Sequence, residues 1–351
     1  MKANSWDSPG KEGGNREDIG GELSIIQPME TPFTSMVKKT TCSSTNPEVG
    51  ADEIRKPRTG GAKEGKGSDG TGNKASGRRR FGGRVWKCTD QWAVTDVQAA
   101  IARRGGNAFV DDEISIAQVR TMAAMKTDME ATNLGLQEGA GGSDDDMRTR
   151  GFFKWVQNGA QAIDPVPPQF RTPAASIITL DLSDGEVLSE SKTLASAGAG
   201  TPAYKSFNAL LKSMKQAYGH KVNAVAFAGD DIIEMVDNFT RSDGAGNNTR
   251  YTVQEGENTH EISLYVTVFD TSFARVEMVP DQFVAYDEVT QLGNPKAAAI
   301  AVMEYWENQY LEEMVSEENP DRSGGRSGWA RCMYANICRN PKGQGAILTQ
   351  A

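Results

Sequence analysis

The sequence is poor in the residues from which most catalytic and metal sites are built. Only two histidines occur among its 351 residues, and its four cysteines include no Cys-x-x-Cys pair. A disulfide framework is therefore not predicted, and a zinc site would need ligands from distant segments. The sequence also lacks a Walker loop, a dinucleotide fingerprint and a Gly-x-Ser-x-Gly elbow. We therefore predict no enzyme activity, no catalytic residue, no cofactor and no metal.

Long apolar runs and aromatic residues are also scarce. Aromatic residues make up 7% of the chain, and no run approaches the roughly 18 apolar residues of a membrane helix. Residues 1–9 lack a basic region followed by an apolar stretch, so we predict no secretory signal. With 37 glycines, 14 prolines and 38% apolar residues, the composition is typical of a loop-rich soluble protein.

The net charge of −9 is unevenly distributed. Residues 55–87 hold eleven basic residues against two acidic ones, a local charge of +9 that leaves −18 on the rest of the chain. Seven glycines between Gly60 and Gly77 make this segment too costly in chain entropy to form a core element, so we predict an exposed arm. A nucleic-acid tail, an arm that docks on a neighbouring copy and a solvated loop are the alternatives. The acidic remainder favours docking, because it offers a partner surface and repels nucleic acid.

Periodicity predicts a hairpin and then a long helix. The legs of the hairpin are residues 37–58 and 78–95, because the second leg alternates in polarity from Val85 onward. The helix covers residues 111–134, with acidic residues at its start and Gly135 at its end. One face of the helix carries apolar and small residues at spacings of three or four: Ile114, Ala117, Thr121, Met125, Met129 and Thr132.

The sequence pattern in the middle of the chain predicts a small layer of helices and strands. A strand at 174–182 is followed by a helix that opens at Pro202 and ends at Gly219, a strand at 222–228 and a helix from 229 to 239. The buried face of the first helix is predicted from its apolar positions: Phe207, Leu210, Leu211, Met214 and Tyr218. Further strands are predicted at 261–269, 273–279, 283–289, 297–303, 329–338 and 346–349. Six glutamates between Glu304 and Glu318, with no basic residue among them, predict an acidic surface.

Two motifs give the chain a family resemblance. Asn15-Arg16-Glu17-Asp18 is followed by Ile25-Ile26-Gln27-Pro28-Met29-Glu30-Thr31-Pro32-Phe33, and Arg339-Asn340-Pro341-Lys342 lies near the end. Their order, together with the basic hairpin and the long helix between them, resembles the major capsid proteins of tailed bacteriophages. Within the first motif, Pro28 and Pro32 are expected to end the helix that carries Ile25 and Ile26, because proline removes an amide donor.

This resemblance implies an α+β fold of the Hong Kong 97 (HK97)-like type. The expected parts are an N-terminal arm over residues 1–36 and an extended hairpin, the E-loop, over 37–95. A peripheral domain with a long spine helix is expected over 96–172 and 270–351. An axial domain is expected over 173–269.

The function implied by the resemblance is self-assembly into an icosahedral head shell that encloses double-stranded DNA. The expected partners are other copies of the chain in hexamers and pentamers, packaged DNA bound without sequence specificity, and scaffold, portal and decoration proteins. The expected location is the virion, after assembly in the host cytoplasm and without a membrane. Some relatives carry a long cleavable scaffold region before the arm, whereas fourteen residues precede Asn15. A separate scaffold or a processed or short terminus is therefore expected, and no covalent crosslink is predicted.

The charge distribution adds a hypothesis about the contacts between subunits. Arginines of the returning hairpin leg are expected to meet acidic residues of an adjacent subunit. The residues of this hypothesis are Arg78, Arg79, Arg80, Arg84, Glu312, Glu313, Glu317 and Glu318. The alternative function is a basic-armed nucleic-acid-binding protein, and the third is an enzyme whose site follows no known motif.

Overall fold

The structure is a computed structural model that describes eleven segments of the chain. They are residues 30–52, 78–97, 113–141, 146–156, 165–180, 203–238, 253–256, 259–262, 268–287, 290–319 and 325–349. The Asn15 motif, the centre of the basic arm and residues Asp144 and Asp145 lie outside these segments.

The described segments contain helices and strands in a mixed order. The helices are α1 (Pro32–Met36), α2 (Glu113–Asn133), α3 (Phe152–Val156), α4 (Ala203–Tyr218) and α5 (Asp230–Asn238). The first strands are β1 (Lys38–Thr41), β2 (Glu48–Ala51), β3 (Arg79–Gly82), β4 (Trp86–Thr95), β5 (Ile177–Leu180), β6 (Val222–Ala228) and β7 (Val253–Gly256). The others are β8 (Thr259–Ile262), β9 (Val268–Asp270), β10 (Ala274–Pro280), β11 (Ala298–Ala301), β12 (Trp306–Glu318), β13 (Gly325–Cys338) and β14 (Gly345–Thr349).

The strands form two larger sheets and two hairpins. One sheet has the order β1-β12-β13-β4, and the other has the order β5-β14-β11-β6-β10-β9. The pairs β2-β3 and β7-β8 are separate two-stranded ribbons. In the six-stranded sheet β6 is parallel to β10 and antiparallel to β11, so the sheet is mixed.

The six-stranded sheet has one face covered by α4 and α5. The apolar residues of α4 recur at helical spacing, and Phe207, Leu210, Leu211 and Met214 are all buried as the sequence predicts. Gly219 ends α4 with a φ of +78°, a left-handed conformation that glycine adopts without steric cost. The helix therefore stops where the predicted C-terminal glycine stands.

The opposite face of this sheet packs on a cluster of aromatic side chains. Phe33 of α1 contacts Phe227, Phe152 and Trp306 edge-on, with ring centroids 5.2, 6.3 and 5.7 Å away. Phe152 and Trp306 stack with centroids 4.7 Å apart. All four side chains are essentially inaccessible to solvent. Pro32 and Phe33 thus have distinct roles, since Pro32 opens α1 at its first turn and Phe33 enters the core.

The long helix α2 has 21 residues, against 24 predicted, and is about 31 Å long. Its buried side carries Thr121, Met125 and Met129, as expected from their spacing. Two polar residues on the same helix, Glu130 and Asn133, are equally buried and were not predicted. Gly135 follows the end of the helix without a positive φ, so the expected left-handed cap is absent there.

Three sequence predictions differ from the structure. Residues 283–285 form a turn instead of the start of the predicted strand, because Asp281 accepts a hydrogen bond from the Phe283 amide and Ala285 has a φ of +49°. The predicted strand at 174–182 begins only at Ile177, after a 3₁₀ turn at Ala174–Ser176. The acidic stretch at 304–318 was predicted as a surface and was not among the predicted strands, but it contains the 13-residue strand β12.

The chain divides into two compact units. The described residues of the smaller unit lie in Asp90–Ala123 and Ser316–Ala330, and those of the larger unit lie in Glu30–Thr89, Ala124–Val315 and Arg331–Ala351. Within the smaller unit, Trp92 is buried and its indole N–H donates to Ser316 Oγ at 3.2 Å. Gly328 is required beside this ring, because a Cβ there would lie 2.4 Å from Trp92 Cζ2. The larger unit contains the six-stranded sheet and the aromatic cluster.

Candidate subunit interface

The arginines of the hairpin lie on the antiparallel ribbon β2-β3. In its register Glu48 is opposite Gly82 and Ala51 is opposite Arg79, so the two predicted legs pair over these residues. The other strands of the legs pair elsewhere, β1 with β12 and β4 with β13, so the predicted hairpin is confirmed only for the ribbon. The side chains of Arg78 and Arg80 are 90% and 80% exposed, and Arg79 is exposed as well. The ribbon therefore presents three consecutive arginines to solvent.

Two of these arginines have acidic partners within the ribbon. Arg78 lies 3.6 Å from Asp52, and Arg80 lies 3.6 Å from Glu48. Both acids are more than half exposed, and ion pairs of this kind contribute only about 0 to 1 kcal/mol in water. Contact with an acidic surface of another molecule could therefore replace these pairs at little cost.

Arg84 has a different environment from the other three arginines. Its side chain is half-buried, and its Nη1 donates to Asn46 Oδ1. Its aliphatic part packs near Gly139 and Gly141, where a Cβ would lie 3.4 and 3.5 Å away. Arg84 also lines a cavity of about 310 Å³ at the base of the hairpin. Its contacts within the chain favour a structural role, whereas Arg78, Arg79 and Arg80 remain accessible.

The base of the hairpin is fixed by buried residues. Phe81 is buried and lies against Trp155, with ring centroids 6.1 Å apart. The guanidinium of Arg150 stacks over the Trp155 ring at 4.5 Å and pairs with Glu138 at 2.6 Å. Gly82 is also required, because a Cβ there would lie 2.7 Å from the Pro47 carbonyl oxygen. These contacts fix the ribbon to the rest of the larger unit.

The acidic residues of the hypothesis lie on strand β12. Exposed and less exposed residues alternate along its second half, so Leu311, Glu313, Val315 and Glu317 point to one side. Glu318, at the end of the strand, is exposed as well. The strand thus presents acidic residues interleaved with exposed apolar ones, since Leu311 and Val315 are 37% and 36% exposed.

Glu312 differs from its acidic neighbours. Its Oε1 lies 2.6 Å from Arg331 Nη2 and accepts a second hydrogen bond from Arg331 Nε at 2.7 Å. The two side chains are about one-third exposed or less. Glu312 is therefore neutralised within its own chain, while the exposed acids of β12 are Glu313, Glu317 and Glu318.

Sequence reasoning missed several buried charged residues. Glu307, within the acidic stretch, is 1% exposed and pairs with Arg339 at 2.8 Å and with Lys38 at 3.9 Å. Lys38 is opposite Glu307 in the parallel pairing of β1 with β12. The position of Glu307 beside Trp306 was a weak signal of burial. Nothing local to the sequence indicates its partners, which lie far away in the chain.

The cysteines are not arranged for chemistry. Cys88, Cys332 and Cys338 are buried, and burial raises the pKa of the Cys332 thiol to about 12 and that of Cys338 further. A reactive thiolate is therefore disfavoured at these positions. Within the described segments no three metal-binding side chains cluster, and no helix there is long and apolar enough to cross a membrane.

Comparison with known protein families identifies the chain. The family model described as SU10 major capsid protein matches residues 6–349. The chain belongs to the SU10 major capsid protein family. It is a phage major capsid protein, and it forms the head shell of the virion. This structural function agrees with the sequence prediction, and the alternative of a basic-armed nucleic-acid-binding protein has no support in the comparisons.

Solved structures share the fold of this major capsid protein at low sequence identity. The capsid asymmetric unit of cyanophage A-1(L) gives a TM-score of 0.61 at 11% identity, over 95% of this chain and 96% of that one. The capsid of a native GTA particle gives 0.60 at 10% identity, over 99% and 100%. A chain of Gordonia phage Cozz gives 0.58 at 11% identity, over 100% and 98%. These likenesses show a capsid fold of mixed helices and strands. A search of curated proteins finds no match.

Proposed function

We propose that this major capsid protein builds an icosahedral, HK97-like shell in which the β2-β3 ribbon of one subunit docks on the β12 surface of the next. The proposed contact joins Arg78, Arg79 and Arg80 to Glu313, Glu317 and Glu318 of the neighbour. The observation that carries this proposal is the exposure of three consecutive arginines on a ribbon whose base is fixed. Arg84 and Glu312 belong to the original hypothesis, but their contacts within the chain favour a supporting role.

The elements suggest how the parts of an HK97-like subunit map onto this chain. The ribbon β2-β3 would be part of the E-loop at 37–95, and α2 would be the spine helix of the peripheral domain at 96–172 and 270–351. The layer of α4, β6 and α5 would form the axial domain at 173–269, preceded by the arm at 1–36. Strands β10 and β11 pair with β6, and β14 pairs with β11, so we propose that the axial domain also includes these strands.

The charges of the shell suggest its further partners. A contact between opposite charges would repeat at every subunit interface, so weak pairs would add up across the assembly. Hexamers and pentamers of the chain, together with scaffold, portal and decoration proteins, are the proposed protein partners. The enclosed double-stranded DNA would be bound without sequence specificity. Assembly would take place in the host cytoplasm, and no residue is assigned a catalytic role.

The test of the contact replaces Arg78, Arg79 and Arg80 by Gln in one chain. We expect a folded subunit with a reduced yield of shells, measured by sedimentation and negative-stain microscopy. The wild-type yield should fall with added salt, because salt screens the charges, whereas the variant yield should be low and insensitive to salt. The matched control replaces Arg120, Lys126 and Lys212, three exposed basic residues elsewhere, by Gln and should assemble normally.

Charge reversal identifies the acidic partner. Replacing Arg78, Arg79 and Arg80 by Glu should block assembly, and so should replacing Glu313, Glu317 and Glu318 by Arg. Both sets combined in one chain should restore shells, because every interface again joins opposite charges. If the combined variant assembles no better than the single sets, the β12 surface is not the partner of the ribbon.

A further inference from the structure

Two carboxyl groups, those of Glu130 and Asp281, lie within hydrogen-bonding reach of each other in the core of the larger unit. Glu130 of α2 is 0% exposed, and Asp281, directly after β10, is 6% exposed. Neither forms an ion pair in the part of the chain that the structure describes. Buried acids are normally paired, because the transfer of an isolated charge from water is costly. The head-shell function described above assigns no role to this pair.

Glu130 holds the first turn of α1. Its Oε1 accepts a hydrogen bond from the Phe33 amide at 2.6 Å, and its Oε2 accepts one from the Thr34 amide at 2.7 Å. These amides stand at the second and third positions of α1, where an N-cap side chain normally supplies the acceptor. Thr31, at the N-cap, makes no such bond. A carboxylate from a helix almost 100 residues later therefore caps α1.

Further polar groups hold the same turn. Asn133 Nδ2 donates to Thr34 Oγ1 at 3.1 Å, and the Tyr334 hydroxyl donates to Asn133 Oδ1 at 3.1 Å. Tyr334 is the titratable group that β13 contributes near Glu130, and burial raises its pKa well above the ordinary value. The tyrosine therefore stays neutral over the range in which carboxyl groups titrate. Among the described residues at this site, Glu130 and Asp281 are the groups that change charge in that range.

Asp281 has one satisfied oxygen and one unsatisfied oxygen. Its Oδ1 accepts from the Phe283 amide at 2.8 Å, whereas its buried Oδ2 has no donor among the described residues. Two ionised carboxylates are both acceptors and repel each other, but a proton on Asp281 turns it into a donor to Glu130. Burial and then the charge of Glu130 raise the pKa of Asp281 to about 8, and burial raises the pKa of Glu130 as well.

We propose that Glu130 and Asp281 form a proton-dependent latch that holds α1 against α2. The closed latch shares one proton, and the open latch exposes both carboxyls to water, where they ionise. Closing the latch therefore takes up a proton at every pH between the ordinary pKa of an Asp side chain and about pH 8, the raised pKa of Asp281. The latch is tightest in acid, and its opening constant rises by up to about tenfold per pH unit until it levels off above about pH 8.

The test measures amide hydrogen exchange of residues 33 and 34 in purified shells, by mass spectrometry between pH 5 and pH 9. After correction for the intrinsic exchange rate, the wild type should lose protection by up to about tenfold per pH unit between pH 5 and pH 7. Asp281→Asn should abolish this slope and keep protection high, because its amide donates to Glu130 as a protonated Asp does. Asp270→Asn, at an exposed ion pair with Lys221, is the control and should keep the wild-type slope.

A second variant tests the hydrogen bonds from Glu130 to α1 directly. Glu130→Gln should lower the protection at every pH, because Phe33 and Thr34 donate to two different oxygens of Glu130 and the Gln NH₂ group that replaces one of them cannot accept. The latch is refuted if Asp281→Asn keeps the wild-type slope, if the wild type shows no slope, or if Glu130→Gln protects residues 33 and 34 as well as the wild type. If Glu130→Gln does not fold, the slopes of the wild type and Asp281→Asn still decide the outcome.

Discussion

At the residue scale, burial has a different meaning for apolar and for charged side chains. Leu210 could be placed in the core from the sequence, because its neighbours on one face of α4 share its character. Glu130, Glu307 and Asp281 could not, because an acidic residue normally indicates a solvated position and only distant partners justify its burial. The burial of charged residues is therefore the feature of this core that could not be predicted from the sequence.

Replacement of Leu210 by Ala tests the core of the six-stranded sheet. Leu210 is 0% exposed and packs near Gly345 of β14, where a Cβ would lie 2.9 Å from its Cδ2. Removing the side chain should lower the free energy of unfolding by about 2 to 5 kcal/mol. Thermal melting and the amount of soluble protein should both decrease before particle geometry changes.

Lys212→Ala is the control for this core variant, because Lys212 is exposed on the same helix and should change stability by less than about 0.5 kcal/mol. Normal melting of Leu210→Ala combined with an altered particle size would place this face of α4 at a subunit contact.

At the element scale, local patterns predicted some segments and failed for others. Helix α4 and strand β6 agree with the sequence because their polarity repeats and end signals are local. Strand β12 was missed because glutamates occupy exposed and half-buried positions alike, and its neighbours β1 and β13 fix it from distant parts of the chain. The strand predicted at 283–289 was wrong because an Asp side chain closes a turn there. The arginine ribbon was predicted, but the pairing of Glu312 with Arg331 was not.

The hairpin offers a matched pair of glycine variants. Gly82→Ala should destabilise the protein by about 1 to 3 kcal/mol, because its Cβ would meet the backbone oxygen of Pro47 at 2.7 Å. Gly50→Ala, on the partner strand, has nothing within 4 Å of its Cβ and should be neutral or slightly stabilising. Thermal melting of the two variants measures the difference. Equal melting temperatures would mean that the base of the ribbon is not fixed.

At the scale of the whole molecule, the exposed arginines are the proposed contact between the subunit and its neighbours in the shell. Arg78 and Arg80 are 90% and 80% exposed in the subunit, and trypsin cleaves after arginine. Limited proteolysis should therefore cut after residues 78–80 in unassembled protein and be blocked there in shells, where the proposed contact covers them. Mass spectrometry of the fragments locates the cuts. Cleavage at the same rate in both forms would contradict the docking of the ribbon.

The connectivity of the sheets has a consequence for the order in which the chain folds. Strand β1 pairs with β12, and β5 pairs with β14, so a strand from the start of the chain and one from its middle pair with strands that are synthesised much later. Contacts between such distant segments form slowly, because a long loop must close before they are gained. During synthesis β1 cannot enter its sheet until residue 310, its last partner, has left the ribosome. We therefore expect a nascent chain to complete β12, the surface proposed to receive the ribbon, late in synthesis.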